Sequence, residues 1–242
     1  MQTPLYVALS SQIALQRRLD TIGSNIANAS TIGYRADSVR FSSLVTSPRT
    51  GAVAFVSQGE TTIDRRSGAL QQTGDALDVA IEGDAWLALK TPAGVAFTRD
   101  GRLTMSATGQ LVSSTGYPVL DAGKAPIQID PNGGRPTIAR DGMISQGGKR
   151  LAAIGVFRIP PEQALTRYSE SAFLSAAEVE PVLDFRSINL VQGYLEQSNV
   201  NTTTEMMNLI TVSRAFQGAA TVIDDTERKL DDAIRTLGAT GH

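Results

Sequence analysis

Apolar positions near the N-terminus repeat at helical spacing. They recur at steps of three, four or seven residues, interrupted by Gln12, and so form one narrow apolar stripe. Thr3 is placed to cap a helix, and Pro4 suits the first helical position, where a missing N–H has no cost. The pattern predicts a helix that runs from this opening to about Asn28.

The C-terminal segment carries a longer and more regular apolar pattern. Its stripe alternates spacings of three and four residues without a slip, which is the heptad pattern of a coiled coil. Thr202 and Glu205 have the spacing of a capping box, and Gly238 follows the last apolar position as a candidate C-cap. These signals predict a helix of about 35 residues. The stripe consists of Met206, Leu209, Ser213, Phe216, Ala220, Ile223, Glu227, Leu230, Ile234 and Leu237.

The narrow stripes on the two predicted helices must each be covered by another helix. We therefore expect the terminal helices to pair in a coiled-coil-like unit, either as an antiparallel hairpin within one subunit or between several subunits. Ser213, Ala220 and Glu227 interrupt the C-terminal stripe, which favours packing that is completed only against neighbouring subunits. The residues expected to carry helix packing or inter-subunit contact are Leu15, Leu19, Ile22, Ile26, Leu209, Phe216, Ile223, Leu230 and Ile234.

Between the helices the hydrophobic pattern changes to a period of two, which is typical of half-buried strands. Turn signals such as Asp100-Gly101 and Asp141-Gly142 divide this part of the chain into short antiparallel strands. The alternating apolar positions are Leu77/Val79/Ile81, Val95/Phe97, Leu103/Met105 and Ile127/Ile129. The middle of the chain is therefore predicted to be a β domain, either a sandwich or an open barrel.

The predicted fold class is mainly β with long terminal α-helices and a central antiparallel β domain. Residues 1–35 and 195–242 are predicted to form a terminal helical assembly domain, residues 36–75 a connector with short strands, and residues 76–194 the central β domain. A chain of 242 residues with 41% apolar residues can bury one good core or two small ones, so a stable globular part is expected.

Composition removes most catalytic chemistry from consideration. Cysteine is absent and the single histidine, His242, is the last residue, which argues against thiolate nucleophiles, cysteine metal sites and Ser-His-Asp triads. The 22 Lys and Arg against 24 Asp and Glu supply no basic field for nucleic acid. No phosphate-binding loop or hydrolase motif occurs. We therefore expect no catalytic residue, cofactor, metal or small-molecule substrate, no nucleic-acid partner, and no enzymatic activity.

Two acidic pairs on the predicted C-terminal helix, Asp224-Asp225 and Asp231-Asp232, are seven residues apart and share one face. Carboxylates gathered in this way are a conceivable metal site. A solvated helix face is the better interpretation, because basic neighbours offer i,i+4 pairing and no histidine or convergent carboxylate set accompanies the pairs.

Three segments resemble the signature motifs of the flagellar rod and hook family. Residues 19–35 read LDTIGSNIANASTIGYR, residues 68–84 read GALQQTGDALDVAIEGD with TRDG following at 98–101, and residues 193–201 read GYLEQSNVN. They occur in the order of the family motifs and span nearly the whole chain. The motif residues marked by the resemblance are Asn25, Asn28, Thr31, Gly33, Tyr34, Glu196, Ser198, Asn199 and Val200.

The resemblance implies a structural subunit of the bacterial flagellar basal-body rod. The opening of the chain and its short length are more similar to the proximal-rod members than to the longer distal-rod members. In such a rod, terminal helices line the inner part of a helical tube that transmits torque and forms part of the export channel, with the β domain outside. The alternatives are a distal rod protein of the same family and a coiled-coil oligomer of another extracellular assembly.

The resemblance also implies a location and partners. The implied partners are other copies of the chain, other rod proteins including the distal rod protein, and the flagellar export apparatus. The N-terminal apolar stretch is broken by Ser10, Ser11 and Gln12 and lacks a basic region before it, so no cleaved signal peptide is expected. The family would instead use flagellar type III export and assemble in the basal body, in the periplasm.

Overall fold

The computed structural model describes residues 2–41, 43–46, 53–56 and 59–239. The chain is mainly β, with antiparallel sheets and one long helix at each end, as the hydrophobic pattern predicts. The helices are α1 (Gln2–Ala27) and α2 (Thr202–Ala239). The strands are β1 (Asp37–Arg40), β2 (Ser43–Thr46), β3 (Val53–Val56), β4 (Glu60–Ile63), β5 (Leu70–Gln72), β6 (Val79–Glu82), β7 (Trp86–Thr91), β8 (Gly94–Thr98), β9 (Leu103–Met105), β10 (Leu111–Ser113), β11 (Thr137–Ile138), β12 (Met143–Gln146), β13 (Lys149–Ala153), β14 (Val156–Arg158), β15 (Leu165–Arg167), β16 (Ala172–Ser175), β17 (Glu180–Pro181), β18 (Asn189–Gln192) and β19 (Tyr194–Glu196).

The chain divides into two compact units, each built from separate stretches of sequence. The helical unit comprises Met1–Ala27, Asp37–Thr62 and Asn201–His242. The β unit comprises Asn28–Ala36 and Ile63–Val200. The chain therefore passes from one unit to the other after residues 27, 36, 62 and 200.

In the helical unit, α1 packs against α2 and also contacts β1 and β3. Ala14 and Ile22 of α1 and Val212 of α2 are buried there. β1 pairs with β4, and β2 pairs antiparallel with β3, with Leu44 opposite Phe55. Apolar helix faces are thus covered within this unit, but only in part.

The N-terminus of α2 begins one residue away from the predicted capping box. The Asn201 side chain accepts a hydrogen bond from the backbone N–H of Thr204 at 3.0 Å, so Asn201 is the cap and Thr202 is already helical. The predicted cap at Thr202 was wrong because asparagine caps as well as threonine does, and the sequence offers both in succession. The helix has 38 residues, close to the predicted length.

The β unit contains a six-stranded antiparallel sheet in the order β15-β16-β8-β7-β14-β17. A three-stranded sheet has the order β11-β12-β13, and two-stranded sheets pair β18 with β6, β19 with β5 and β10 with β9. The predicted strand at Ile127/Ile129 is absent: both side chains are buried, but the segment forms only an isolated bridge through Gln128. The alternating pattern at Ile127 and Ile129 therefore reflects the burial of these side chains and does not indicate a regular β-strand.

Two apolar clusters fill the β unit. The larger one joins β6, β7, β9 and β10 with β11, β12 and β18. The smaller one is aromatic and surrounds Trp86, whose ring lies 5.5 Å from that of Phe173 in an edge arrangement. Trp86 thus belongs to the core, and its indole forms the apolar floor of the site described next.

Candidate functional site

Glu196 is a carboxylate with no exposed side-chain surface. It ends β19, where it lies opposite Leu70 of the antiparallel partner β5. An isolated buried carboxylate is strongly unfavourable, so its stability depends on charge partners and hydrogen bonds. The surroundings of Glu196 therefore determine what this part of the chain can do.

Two arginines from distant segments neutralise Glu196. Arg35 places Nη2 2.6 Å from Oε1, and Arg99 places Nη1 3.0 Å from Oε2. The backbone N–H of Gly68 donates a further hydrogen bond to Oε1 at 2.8 Å. Both arginine side chains are buried, so these charge-assisted bonds form away from water, where they are stronger and their loss is more damaging. We call Arg35, Arg99 and Glu196 the ionic cluster.

Trp86 lies beside both cations of the ionic cluster. The guanidinium carbons of Arg35 and Arg99 are 5.6 and 5.4 Å from the centre of its ring system, within the range of cation–π attraction. Burial lowers the pKa of Arg99 to about 10, and attraction to Glu196 acts in the opposite direction. Arg99 therefore stays charged at neutral pH, and the cluster carries two positive charges and one negative.

Backbone contacts join the first motif to the same place. The N–H of Gly33 donates to the Glu196 carbonyl at 2.8 Å. Gly33 has a φ of 68°, and a Cβ on it would stand 2.3 Å from the backbone N of Asp100. Both the conformation and the close approach require glycine here. Tyr34 is buried next to it, with the guanidinium carbon of Arg167 4.5 Å from its ring centre.

Asn199 ties two backbone segments of the β unit, at Ala36 and at residues 64–66, to its own. Its Oδ1 accepts from the N–H of Ala36 at 2.7 Å, and its Nδ2 donates to the carbonyls of Asp64 and Arg66, each at 2.9 Å. A side-chain amide has one acceptor oxygen and two N–H donors, so it can hydrogen-bond several backbone groups at once where the chain is irregular. The segments it joins are the ones that enter and leave the neighbourhood of the ionic cluster.

Replacing Asn199 with alanine is expected to lower the free energy of unfolding by about 2 kcal/mol, since two half-buried backbone groups and one exposed carbonyl lose their partner. Urea unfolding of the full chain measures the change. Asn132→Ala is the matched control, because Asn132 sits in an exposed turn and its side chain makes no hydrogen bond within the described residues. Equal midpoints for the two variants would contradict the role given to Asn199.

The other motif residues make local contacts. In the helical unit, Asn25 is buried and exchanges two 2.9 Å hydrogen bonds with the backbone of Asp37. In the β unit, the Thr31 hydroxyl donates to Asn28 at 3.1 Å, and the Ser198 hydroxyl accepts from the N–H of Val200 at 3.2 Å. The residues marked by the resemblance thus fix the backbone just before and just after the points where the chain passes from one unit to the other.

The residues predicted to pack the helices differ in exposure. Ile22 is buried, and Leu209 is 36% exposed. The half-buried ones are Leu15, Leu19, Ile26, Phe216 and Ile223. The side chains of Leu230 and Ile234 lie outside the described part of the structure. Among the α2 side chains that the structure describes, the most buried apolar one is Val212, which the heptad pattern does not include, so the covered face of this part of the helix is rotated away from the predicted seam.

Part of the apolar surface of α2 is left uncovered. Met206, Met207 and Ile210 are 51%, 59% and 55% exposed, and Leu209 adjoins them. We call these four residues the α2 apolar patch. On α1, Leu9 and Ile13 are likewise exposed. Large apolar side chains gathered on one surface mark a site of interaction with another protein or a membrane.

Sequence reasoning assigned no site role to Arg35 or Arg99. The sequence did contain a signal for the ionic cluster, because each of the three motifs contributes one charged residue to it, two of them arginines and the third a glutamate. No group of histidine and carboxylate side chains suited to a metal occurs among the described residues, and none of their helices is long and apolar enough to cross a membrane.

Comparison with known proteins adds three family models. Residues 5–35 match "Flagella basal body rod protein", residues 80–146 match "Flagellar hook protein FlgE/F/G D1 domain", and residues 191–236 match "Flagellar basal body rod FlgEFG protein C-terminal". The first and last matches contain Arg35 and Glu196, and the middle one contains Arg99. The ionic cluster thus links one residue from each matched region.

Curated relatives match over the full chain. "Flagellar basal-body rod protein FlgF" of Rhizobium meliloti (strain 1021) is 47% identical over 240 residues, covering 99% of this chain and 100% of the relative. The FlgF protein of Mesorhizobium japonicum is 46% identical, with 99% of each chain covered. "Flagellar basal-body rod protein FlgG" of Bacillus subtilis (strain 168) is 30% identical, covering 97% of this chain and 98% of the relative.

Proposed function

Because the chain belongs to the flagellar basal-body rod protein family and resembles its FlgF members over the full length, we propose that it builds the proximal rod by polymerising into a helical tube. It is a structural subunit of the rod in the flagellar basal body. The distal-rod alternative is not favoured, because the FlgG relative is 30% identical whereas the FlgF relatives reach 47%. The tube would transmit torque and enclose part of the export channel.

The α2 apolar patch is the observation that carries the assembly proposal. Burying one methionine or isoleucine side chain in a contact is worth about 1.5–3 kcal/mol, so the patch can supply substantial association free energy. Its position on a long terminal helix suits heterologous contacts, which generate open helical assemblies. We propose that the patch packs on helices of neighbouring subunits and that α1 and α2 pair as a coiled coil in the rod.

The partners follow from the same assignment. We propose contacts with other copies of the chain, with other rod proteins including the distal rod protein, and with the flagellar export apparatus. Export would use the flagellar type III route, and assembly would take place in the periplasm. The predicted division into a terminal helical assembly domain (1–35 and 195–242), a connector (36–75) and a central β domain (76–194) is proposed as the functional division.

Replacing Ile210 with aspartate is expected to block rod assembly while leaving the fold of the monomer intact. The side chain is 55% exposed in the monomer, so unfolding should change by no more than about 0.5 kcal/mol. In the rod the same charge would be buried without a partner, which should reduce incorporation by about tenfold or more. Quantitative mass spectrometry of purified hook-basal bodies measures the incorporation.

Ile210→Leu is the matched control for this experiment, because it keeps the apolar surface at the same position. We expect this variant to enter the basal body at the level of the parent chain. Normal incorporation of Ile210→Asp would show that the α2 apolar patch is not an assembly surface. Absence of the parent chain itself from basal bodies would overturn the proximal-rod function.

A further inference from the structure

The β unit has an open cavity of about 480 Å³ at one edge of its six-stranded sheet, beside β17. Its wall is rich in acid: Glu178, Glu180 and Asp184 line it together with the single cation Arg158. Leu183, which is 83% exposed, adds an apolar side chain to the rim. We call this the acidic pocket.

The negative charge of the acidic pocket is only weakly compensated within the chain. Glu178 meets Lys124 at 3.1 Å and Asp184 meets Arg186 at 3.7 Å, both in solvent-exposed pairs that contribute little. Glu180 makes no ion pair within the described part of the chain. The pocket thus offers carboxylates to a partner that brings positive charge.

A hairpin elsewhere in the β unit presents the opposite charge. β12 and β13 are joined by Gly147 and Gly148, both with positive φ, and Lys149 and Arg150 follow the turn at once. Both are exposed, and no ion pair engages either one within the described residues. The next residue, Leu151, is an exposed apolar side chain on the edge strand β13.

From this complementarity we propose that the basic hairpin tip of one subunit docks in the acidic pocket of a second copy of the chain. Lys149 and Arg150 would face Glu180 and its neighbours, and Leu151 would cover the exposed Leu183. The contact is made by side chains, since Pro181 lacks an N–H and prevents β17 from extending the sheet at that position. The proposal rests on the proposed function, because it names a self-contact within the rod.

The proposed contact is heterologous, because the hairpin and the pocket are different surfaces of the same subunit. A contact of this kind leaves a free hairpin on one subunit and a free pocket on the other, so it continues along an open assembly. It would connect the β units of adjacent subunits while the helices pack separately. Lysine and arginine on an edge strand have another use, which is to prevent edge-to-edge pairing, and the experiment separates the two roles.

The chain has no cysteine, so site-directed crosslinking can test the contact in the full-length protein. Arg150→Cys and Glu180→Cys chains are co-expressed, and purified basal bodies are treated with a short bismaleimide. Two long side chains separate these positions in an ion pair, so a direct disulfide would be too short. We expect crosslinked dimers containing one chain of each kind, and few from either variant alone.

Asp141→Cys provides the control site, because Asp141 is exposed on the turn that precedes β12 and lies outside the pocket. Paired with Glu180→Cys, it should give only background crosslinking. Adding Lys149→Glu to the Arg150→Cys chain should lower the yield of its crosslink to Glu180→Cys about tenfold, since like charges then meet at the pocket.

The outcomes are distinct. Chains that enter basal bodies but crosslink no better than the Asp141 control would overturn this contact and leave the rod function standing. Efficient crosslinking by Arg150→Cys alone would show a symmetric contact and would also overturn it. Failure of both cysteine chains and of the parent to enter basal bodies would count against the rod function itself.

Discussion

Replacing Glu196 with glutamine is expected to lower the free energy of unfolding of the β unit by about 3–5 kcal/mol, because removing one partner of a buried ion pair leaves uncompensated charge. Two buried guanidiniums, of Arg35 and Arg99, would then face each other across a neutral amide. Trp86 is the single tryptophan of the chain and lies beside both cations, so its fluorescence during urea unfolding reports on this unit directly.

Two further variants test whether the stability lost in Glu196→Gln comes from the unpaired arginines. Glu178→Gln removes a carboxylate whose pair with Lys124 is exposed, and its unfolding midpoint should be almost unchanged. Adding Arg35→Met to Glu196→Gln removes one unpaired cation and should recover part of the loss, since the Arg35 side chain hydrogen-bonds only to Glu196 within the described residues. If Glu196→Gln unfolds at the same urea concentration as the parent, the ionic cluster does not stabilise the unit.

Replacing Gly101 with alanine should be nearly as damaging, with an expected loss of about 3 kcal/mol. A Cβ at this position would stand 1.6 Å from the carbonyl oxygen of Val79, and the opposing atoms are backbone that cannot rotate away. Val79 also donates its N–H to the Gly101 carbonyl at 3.0 Å, so a shift that relieves the clash breaks this bond. Thermal or urea unfolding monitored by Trp86 measures the loss.

Gly218→Ala is the matched control for the glycine prediction. Gly218 lies within α2, and a Cβ there meets no atom within 4 Å. Because alanine favours the helix over glycine by about 1 kcal/mol, this variant should stabilise the helical unit slightly. A Gly101→Ala chain that unfolds like the parent would show that the close approach of β6 to this turn relaxes at little cost.

The ionic cluster gives a physical reason why three separated motifs accompany one another in the chain. The first contributes Arg35, the segment at 98–101 contributes Arg99, and the last contributes Glu196. Each is a charge that could not be buried alone: loss of Glu196 leaves both arginines without a carboxylate, and loss of either arginine leaves Glu196 with one cation fewer. The motifs are coupled through this shared desolvated site, while the helices remain available for assembly.

Much of the fold follows from local pattern. The heptad spacing of α2, the stripe of α1 and the alternation at β6, β8 and β9 each depend on residues within a few positions of one another. Local signals were less reliable where two residues compete for one role, as at Asn201 and Thr202. They also failed at Ile127 and Ile129, where burial alternates without a ladder.

The two terminal helices, the mainly antiparallel β class and the resemblance to the rod family could all be predicted from the amino-acid sequence, because they depend on local periodicity and short motifs. The folded structure was needed to show that Glu196 meets Arg35 and Arg99, which lie 161 and 97 positions away. The folded structure was also needed to show that Val212 faces inward while Met206 and Ile210 stay exposed. Pairing over such separations depends on chain topology, and a helical period alone does not select the side of a helix that its neighbours will cover.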